Sequence, residues 1–335
     1  MAMMSARLPA VAPVGFMYTK RRQDPIIRNE GEMQMGRKTI LGTMLCGAVA
    51  TALLTAPASA AQDRVSATEK GSLLIFSKVE IRWDGEGNVI QDTFIQLTND
   101  YPEDVTVQMY FINGDPPLPP QGEERPHPGW NNVDNQIELT SNQPTYWSAL
   151  TGSGRVSPFQ VLDPGFPPGR PDPEADGQRM LRGYILAWAV DSISGVEIRW
   201  NHLAGLGTLV NYQLGAAYEY NTWAFQVVDD RLNGEADTDS PNVLNLDGME
   251  YAQSFSQLLL QFQAVGSAAF SGPRLVVSNT DVTLFPVSVD LRQETEGPVI
   301  TKAHYDVWNM NEVKLSGAYR CVTCWDQAFL SSYGI

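Results

Sequence analysis

Residues 181–190 read Leu-Arg-Gly-Tyr-Ile-Leu-Ala-Trp-Ala-Val, and they leave little choice of architecture. At a period of two, Tyr184, Leu186, Trp188 and Val190 fall on one face and Ile185, Ala187 and Ala189 on the other. Both faces are apolar. Such a strand gains from burial on each side, so it belongs in the interior of a layered fold.

Its neighbours are half-buried strands. Residues 72–83 place Leu74, Phe76, Lys78, Glu80 and Arg82 on one side and mostly Leu73, Ile75, Val79, Ile81 and Trp83 on the other. Residues 92–98 alternate Thr93, Ile95 and Leu97 against Phe94, Gln96 and Thr98, and Val105, Val107, Met109 and Phe111 line the next strand. Asp84-Gly85-Glu86-Gly87-Asn88 and Asn99-Asp100-Tyr101-Pro102 supply the turns between them. Residues 136–140 and 145–150 resume the pattern. The Pro-rich stretches 113–135 and 163–177 lack the backbone donors a central strand needs and read as long loops, the first packed down by Leu118 and Trp130. The fold class predicted is mainly β, an antiparallel β-sandwich with long Pro-rich loops and one amphipathic helix. With 22 Pro, 28 Gly and 8 Trp, the composition agrees with strands joined by turns.

That helix is expected at 247–265. Asp247 with Glu250 forms a capping-box pattern, Tyr251, Phe255, Leu258, Leu259 and Phe262 recur at helical spacing, and Gly266 stands at the stop. The polar, acidic stretch 229–246 is the expected boundary between a sandwich domain (71–228) and a helix-plus-strand module (247–335). That module holds strands at 275–278, 282–291 and 301–308 and reads as incomplete at its end. The hexapeptide Val79-Glu80-Ile81-Arg82-Trp83-Asp84 returns as Val196-Glu197-Ile198-Arg199-Trp200-Asn201 with five residues identical, either a duplicated edge or shared β vocabulary.

Residues 35–60 carry an export signal: Arg37 and Lys38, a mildly apolar run from Ile40 to Ala56, then Ala58-Ser59-Ala60 as a small-x-small cleavage pattern. The run is diluted by Gly and Thr and falls short of the ~20 apolar residues of a membrane span. Met44-Leu45 before Cys46 do not suit lipidation. Residues 1–34 read as unstructured upstream sequence with an over-called start, and 61–70 as a linker. After cleavage no transmembrane segment is expected. Residues 1–60 hold 7 of the 23 Lys and Arg but 3 of the 38 Asp and Glu, so the remainder carries 16 basic against 35 acidic groups, formally −19. Such a surface repels phosphate backbones, so nucleic acid is not an expected partner; an extracellular protein or a glycan is.

The chemistry-bearing residues are few. Cys321 and Cys324 are the cysteines left after cleavage, and in an oxidising compartment Cys-x-x-Cys reads as a local disulfide. Asp229, Asp230, Asp237 and Asp239 are candidate oxygen ligands for calcium, although the helix–loop–helix spacing is absent and a solvated acidic loop is the default. No other cofactor is expected. Trp130, Tyr146 and Trp147 are candidates for stacking on a sugar or an apolar partner, against the alternative that they pin down loops. His127, His202 and His304 are scattered, the sequence holds no Gly-x-Ser-x-Gly, and Gly205-x-Gly207 lacks the third glycine of a nucleotide loop.

Residues 183–205 (GYILAWAVDSISGVEIRWNHLAG) and 307–325 (VWNMNEVKLSGAYRCVTCW) resemble segments of exported bacterial proteins rich in β-structure. The resemblance implies a secreted, sandwich-like module, brings no activity, substrate or catalytic residue, and implies that such chains continue past Ile335. The expected role is therefore an exported, non-enzymatic structural or ligand-binding protein of the cell surface, periplasm or extracellular matrix. The alternative is a secreted polysaccharide hydrolase, whose pair of carboxylates would be hidden among many.

Overall fold

In the computed structural model the doubly apolar stretch is an inner strand, hydrogen-bonded on both edges and covered on both faces. The structure describes residues 2–7, 65–66, 69–115, 132–149, 167–173, 175–229, 233–236, 241–255, 258, 268–271, 274–277, 280–287, 290–292, 301–308, 311, 313–329 and 332. Contacts divide the chain into residues 1–11 with 63–335, and residues 12–62; the latter unit, with the expected signal, lies outside the described residues. The strands of the first unit, in chain order, are β1 (Ala2–Arg7), β2 (Val65–Ser66), β3 (Leu73–Trp83), β4 (Val89–Asn99), β5 (Val105–Asn113), β6 (Asn132–Leu139), β7 (Pro144–Ser148), β8 (Arg170–Pro171) and β9 (Arg179–Val190). They continue as β10 (Leu203–Asn211), β11 (Ala216–Asn221), β12 (Trp223–Phe225), β13 (Ala268–Ser271), β14 (Arg274–Val277), β15 (Asp281–Pro286), β16 (Thr301–Trp308), β17 (Lys314–Val322) and β18 (Asp326–Phe329).

Among the described residues all strand pairings are antiparallel, and the largest sheet runs β11-β10-β4-β3-β9-β5-β6. It folds back on itself at the β3–β4 hairpin. Those two strands pair only at Arg82–Gln91 and Trp83–Val89; beyond that point β4 lies between β10 and β7, while β3 lies between β9 and β12. The two halves close over one core, in which Phe76, Ile81, Met109, Ile185 and Ala187 meet Ile95, Leu97 and Trp147. This is the predicted antiparallel sandwich.

The other face of β9 is equally covered. Tyr184, Leu186, Trp188 and Val190 pack with Leu244, Leu246, Tyr251, Phe285, Cys324 and Trp325, and the Tyr184 and Phe285 rings stack at 4.3 Å. Strand β15 is itself buried on both sides, with Phe285 toward β9 and Val282 and Leu284 toward the β16–β17 hairpin. In β16, Thr301, Ala303, Tyr305 and Val307 point inward and Lys302, His304, Asp306 and Trp308 outward, as expected for an outermost layer. The acidic stretch does not separate one core from another, because Leu244 and Leu246 sit inside the second one. At the far edge of β15, Ala2–Arg7 pairs in register with Asp281–Pro286, so these residues of the expected unstructured leader form a strand.

The expected helix is not present where the structure describes that stretch. Gly248 takes φ +93°, the Asp247 carboxylate accepts from Met249 N at 2.9 Å, and Tyr251 bridges Val227. A left-handed residue one place after the would-be cap breaks a helix at its first turn, and Tyr251 gains full burial in the extended form. Residues 256, 257 and 259–265 of the expected helix lie outside the described residues.

Two glycines permit the close packing. A Cβ on Gly183 would lie 2.0 Å from the Ile112 carbonyl oxygen, and one on Gly207 would lie 2.3 Å from Cζ of Tyr220. The Gly205-x-Gly207 pair thus serves sheet packing on β10. Gly183→Ala should lower stability by ~1–3 kcal/mol or more, because the obstacle is backbone. Gly85→Ala, whose nearest contact is 3.4 Å away, should stay close to the wild type; urea unfolding midpoints distinguish the two.

Candidate functional site: a buried ionic cluster

Strand β3 contains one residue too many for its partner. Phe76 pairs with Ile185 and Val79 with Gly183, so Ser77 and Lys78 together oppose Tyr184. This β-bulge reverses the parity of the strand. Leu74 and Phe76 before it and Val79, Ile81 and Trp83 after it all enter the sandwich core, whereas Leu73 and Ile75 enter the core on the opposite face. Lys78, Glu80 and Arg82 are thereby moved off the sandwich core, toward β15 and β18. The bulge also takes the Lys78 carbonyl off the ladder, and the Tyr220 hydroxyl donates to it from β11. Burial pushes that phenol well up from its ordinary pKa.

Lys78 is 1 % exposed and Glu80 0 %. Lys78 Nζ lies 2.5 Å from Asp281 Oδ2 and 3.3 Å from Glu80 Oε2. Arg82 Nε and Gln91 Nε2 each donate to Glu80 Oε1 at 2.6 Å, and Arg82 Nη1 reaches Asp172 Oδ2 at 2.6 Å. Gln327 Nε2 donates to Asp281 Oδ2 at 2.6 Å and to Glu80 Oε2 at 3.2 Å. Two bases thus face three acids, drawn from β3, β15 and the residue after β8, with Gln91 of β4 and Gln327 of β18 bonded among them. Unpaired, any of these groups would cost several kcal/mol of desolvation; matched, they bind the layers together.

The cluster extends toward the loop ends. Arg182 Nε donates to Asp115 Oδ1 at 3.0 Å, and its guanidinium lies over the Trp325 ring at 5.1 Å. Burial holds the Asp115 carboxyl above its ordinary pKa, the opposing pull of Arg182 and Arg170 being weaker. Its Oδ2 is buried without a hydrogen-bond partner among the described residues. The repeated hexapeptide plays the same role in both places. Glu197 is 1 % exposed and accepts from Arg292 Nη1 at 3.0 Å and Asn242 N at 3.0 Å, while Ile198 and Trp200 join Ile81 and Trp83 in the sandwich core.

The sequence-derived candidates fall elsewhere. Trp147 is wholly buried in the sandwich core, where its ring has no free face for a sugar, while Tyr146, its neighbour on β7, is 64 % exposed. Trp130, Asp230, Asp237 and Asp239 lie outside the described residues. Asp229 is half-buried, and among the described residues no group of three or more His, Cys, Asp or Glu is arranged around a metal position. The expected disulfide between Cys321 and Cys324 is not formed. Cys321 occupies an exposed position of β17 opposite Lys302, whereas Cys324, past the bend, enters the core with Trp325. His202 is held by packing, stacked on Tyr101 at 4.1 Å and bonded to Asn233 Oδ1, with burial lowering its pKa. The Lys78–Asp281 contact spans 203 residues, so sequence reasoning did not see it. The available signal was the odd company of Lys78, Glu80 and Arg82 with Leu74 and Phe76.

No protein-family model, curated protein or solved structure matches the chain.

Arg82→Met removes the bond to Asp172 Oδ2 and one of the four side-chain contacts of Glu80 and should cost ~3–5 kcal/mol by urea unfolding. Asp115 releases its proton at higher pH in the folded than in the unfolded state. Its favourable contribution is therefore complete below the unfolded value and is lost as pH rises through the raised folded value. Asp115→Asn should flatten that segment of the stability–pH curve.

Proposed function

We propose that this chain is an exported β-sandwich protein with a structural or ligand-binding role at the cell surface, in the periplasm or in the extracellular matrix. The observation that carries the reading is where its charged chemistry sits. Lys78, Glu80, Asp281 and Glu197 are closed inside, matched by Arg82, Arg292, Gln91 and Gln327, and so act on neighbouring layers of the same molecule rather than on a diffusing substrate. Export is supported by residues 35–60, and solubility outside the cell by the acidic balance. For ligand binding, Tyr146 supports the reading best. It pairs with Gln96 on the outward face of β4, opposite Leu206 of β10, and offers an exposed ring to a glycan or an extracellular protein.

Cleavage after Ala60 would remove β1 along with the signal and leave β18 as the backbone partner of β15 among the described residues. Fractionation of the native host with N-terminal sequencing tests the proposal. The expected product starts at Ala61 and is found in the envelope or medium; a chain that keeps residues 35–60 and stays with cytosolic proteins would overturn it.

A further inference from the structure

The geometry points to a covalent amide between Lys78 and Asp281, formed by the chain on itself with Glu80 as the proton carrier. Three observations lead there. First, Lys78 Nζ is 2.5 Å from Asp281 Oδ2, which places it within reach of the carboxyl carbon, and both groups are almost fully buried. An amine and a carboxylate held this way are preorganised neighbours, and effective molarities for such pairs reach ~10⁵–10⁸ M. Secondly, Glu80 Oε2 is 3.3 Å from the same Nζ, with its other oxygen fixed by Arg82 and Gln91. It can take a proton from the attacking nitrogen and pass it on. Thirdly, Gln327 Nε2 donates to Asp281 Oδ2 at 2.6 Å, placing a hydrogen-bond donor on the carboxyl oxygens, where negative charge develops as Cγ becomes tetrahedral.

The step balances without a co-reactant. A proton moves from the Lys78 ammonium to the Asp281 carboxylate, giving a neutral amine and a neutral acid. Nζ attacks Cγ and the N–C bond forms. Glu80 removes the second proton from nitrogen and delivers it to the departing hydroxyl, the C–O bond breaks, and water leaves. Nothing is oxidised or reduced. The product replaces two desolvated charges by one neutral amide, which removes the cost of keeping an ion pair in a dry interior. Exclusion of water then protects the amide from hydrolysis. The bond would tie β3 to β15 across 203 residues and lock two layers of the fold. It does not depend on where the protein resides.

Mass spectrometry of the purified full-length chain, with its N-terminus sequenced, reads the bond directly. The expected intact mass is one water below that calculated from the sequence. Trypsin should yield residues 71–82, uncut after Lys78, joined to residues 275–292. Asp281→Asn should give the same product mass by losing ammonia instead of water. Glu80→Gln should slow or abolish the linkage, and Lys78→Arg should abolish it. Circular dichroism establishes that each variant is folded. A wild-type chain of the full calculated mass that is cleaved after Lys78 would overturn the inference, whatever the variants do.

Discussion

One extra residue in β3 governs what the rest of the molecule has to accommodate. Without the bulge at Ser77–Lys78, regular alternation would place Lys78, Glu80 and Arg82 in line with Leu74 and Phe76, among the apolar side chains of the sandwich core. With it, the strand gives five apolar side chains to the sandwich core and three charges to the opposite face. A charge in that position has to be answered by another group, because the desolvation of each ion outweighs most single contacts. The positions of Asp281 and Gln327 on two much later strands, and of Asp172 beside β8, meet that requirement.

The same requirement explains why the later strands do not stand apart. Strands β9 and β15 are each buried on both faces, so each needs a layer on either side. Residues 244–255, β15 and residues 324–325 supply the cover that β9 lacks, and β16 with β17 supplies it for β15. The outermost hairpin alternates polar and apolar because only one of its faces is covered. Apolar matching holds the stack together over broad areas, while the ionic cluster fixes which layer faces which.

Much of the fold was legible in the sequence. The two faces of residues 184–190, the alternation of Thr93, Ile95 and Leu97, and the opposite facings of Val282–Leu284 and Thr283–Phe285 follow from a period of two and elementary burial. Where the reading failed, a local pattern met a tertiary demand. Asp247 and Glu250 match a capping box, but Gly248 at φ +93° and the deep site for Tyr251 favour an extended course. Cys321 and Cys324 have the spacing of a local disulfide, yet a strand position and a post-bend core position send them to different environments. Trp147 is aromatic and close to a loop, but its parity on β7 turns it inward and leaves Tyr146 outside. The candidate site was scarcely legible. Its members come from β3, β4, β15, β18 and the residue after β8, and the bulge that gathers them leaves no mark on composition.

By itself, the amino-acid sequence settled the class of the fold: strands rather than helices, and more than one layer, because residues 184–190 are apolar on both faces. It also put Lys78, Glu80 and Arg82 in regular alternation with Leu74 and Phe76, a pattern that the bulge breaks. Which way those charges turn, and which acid meets which base, was decided only when distant strands came together. Alternation is a property of neighbours along the chain and can be read from them. The pairing of buried charges is a property of neighbours in space, and a contact across 203 residues has no local precursor.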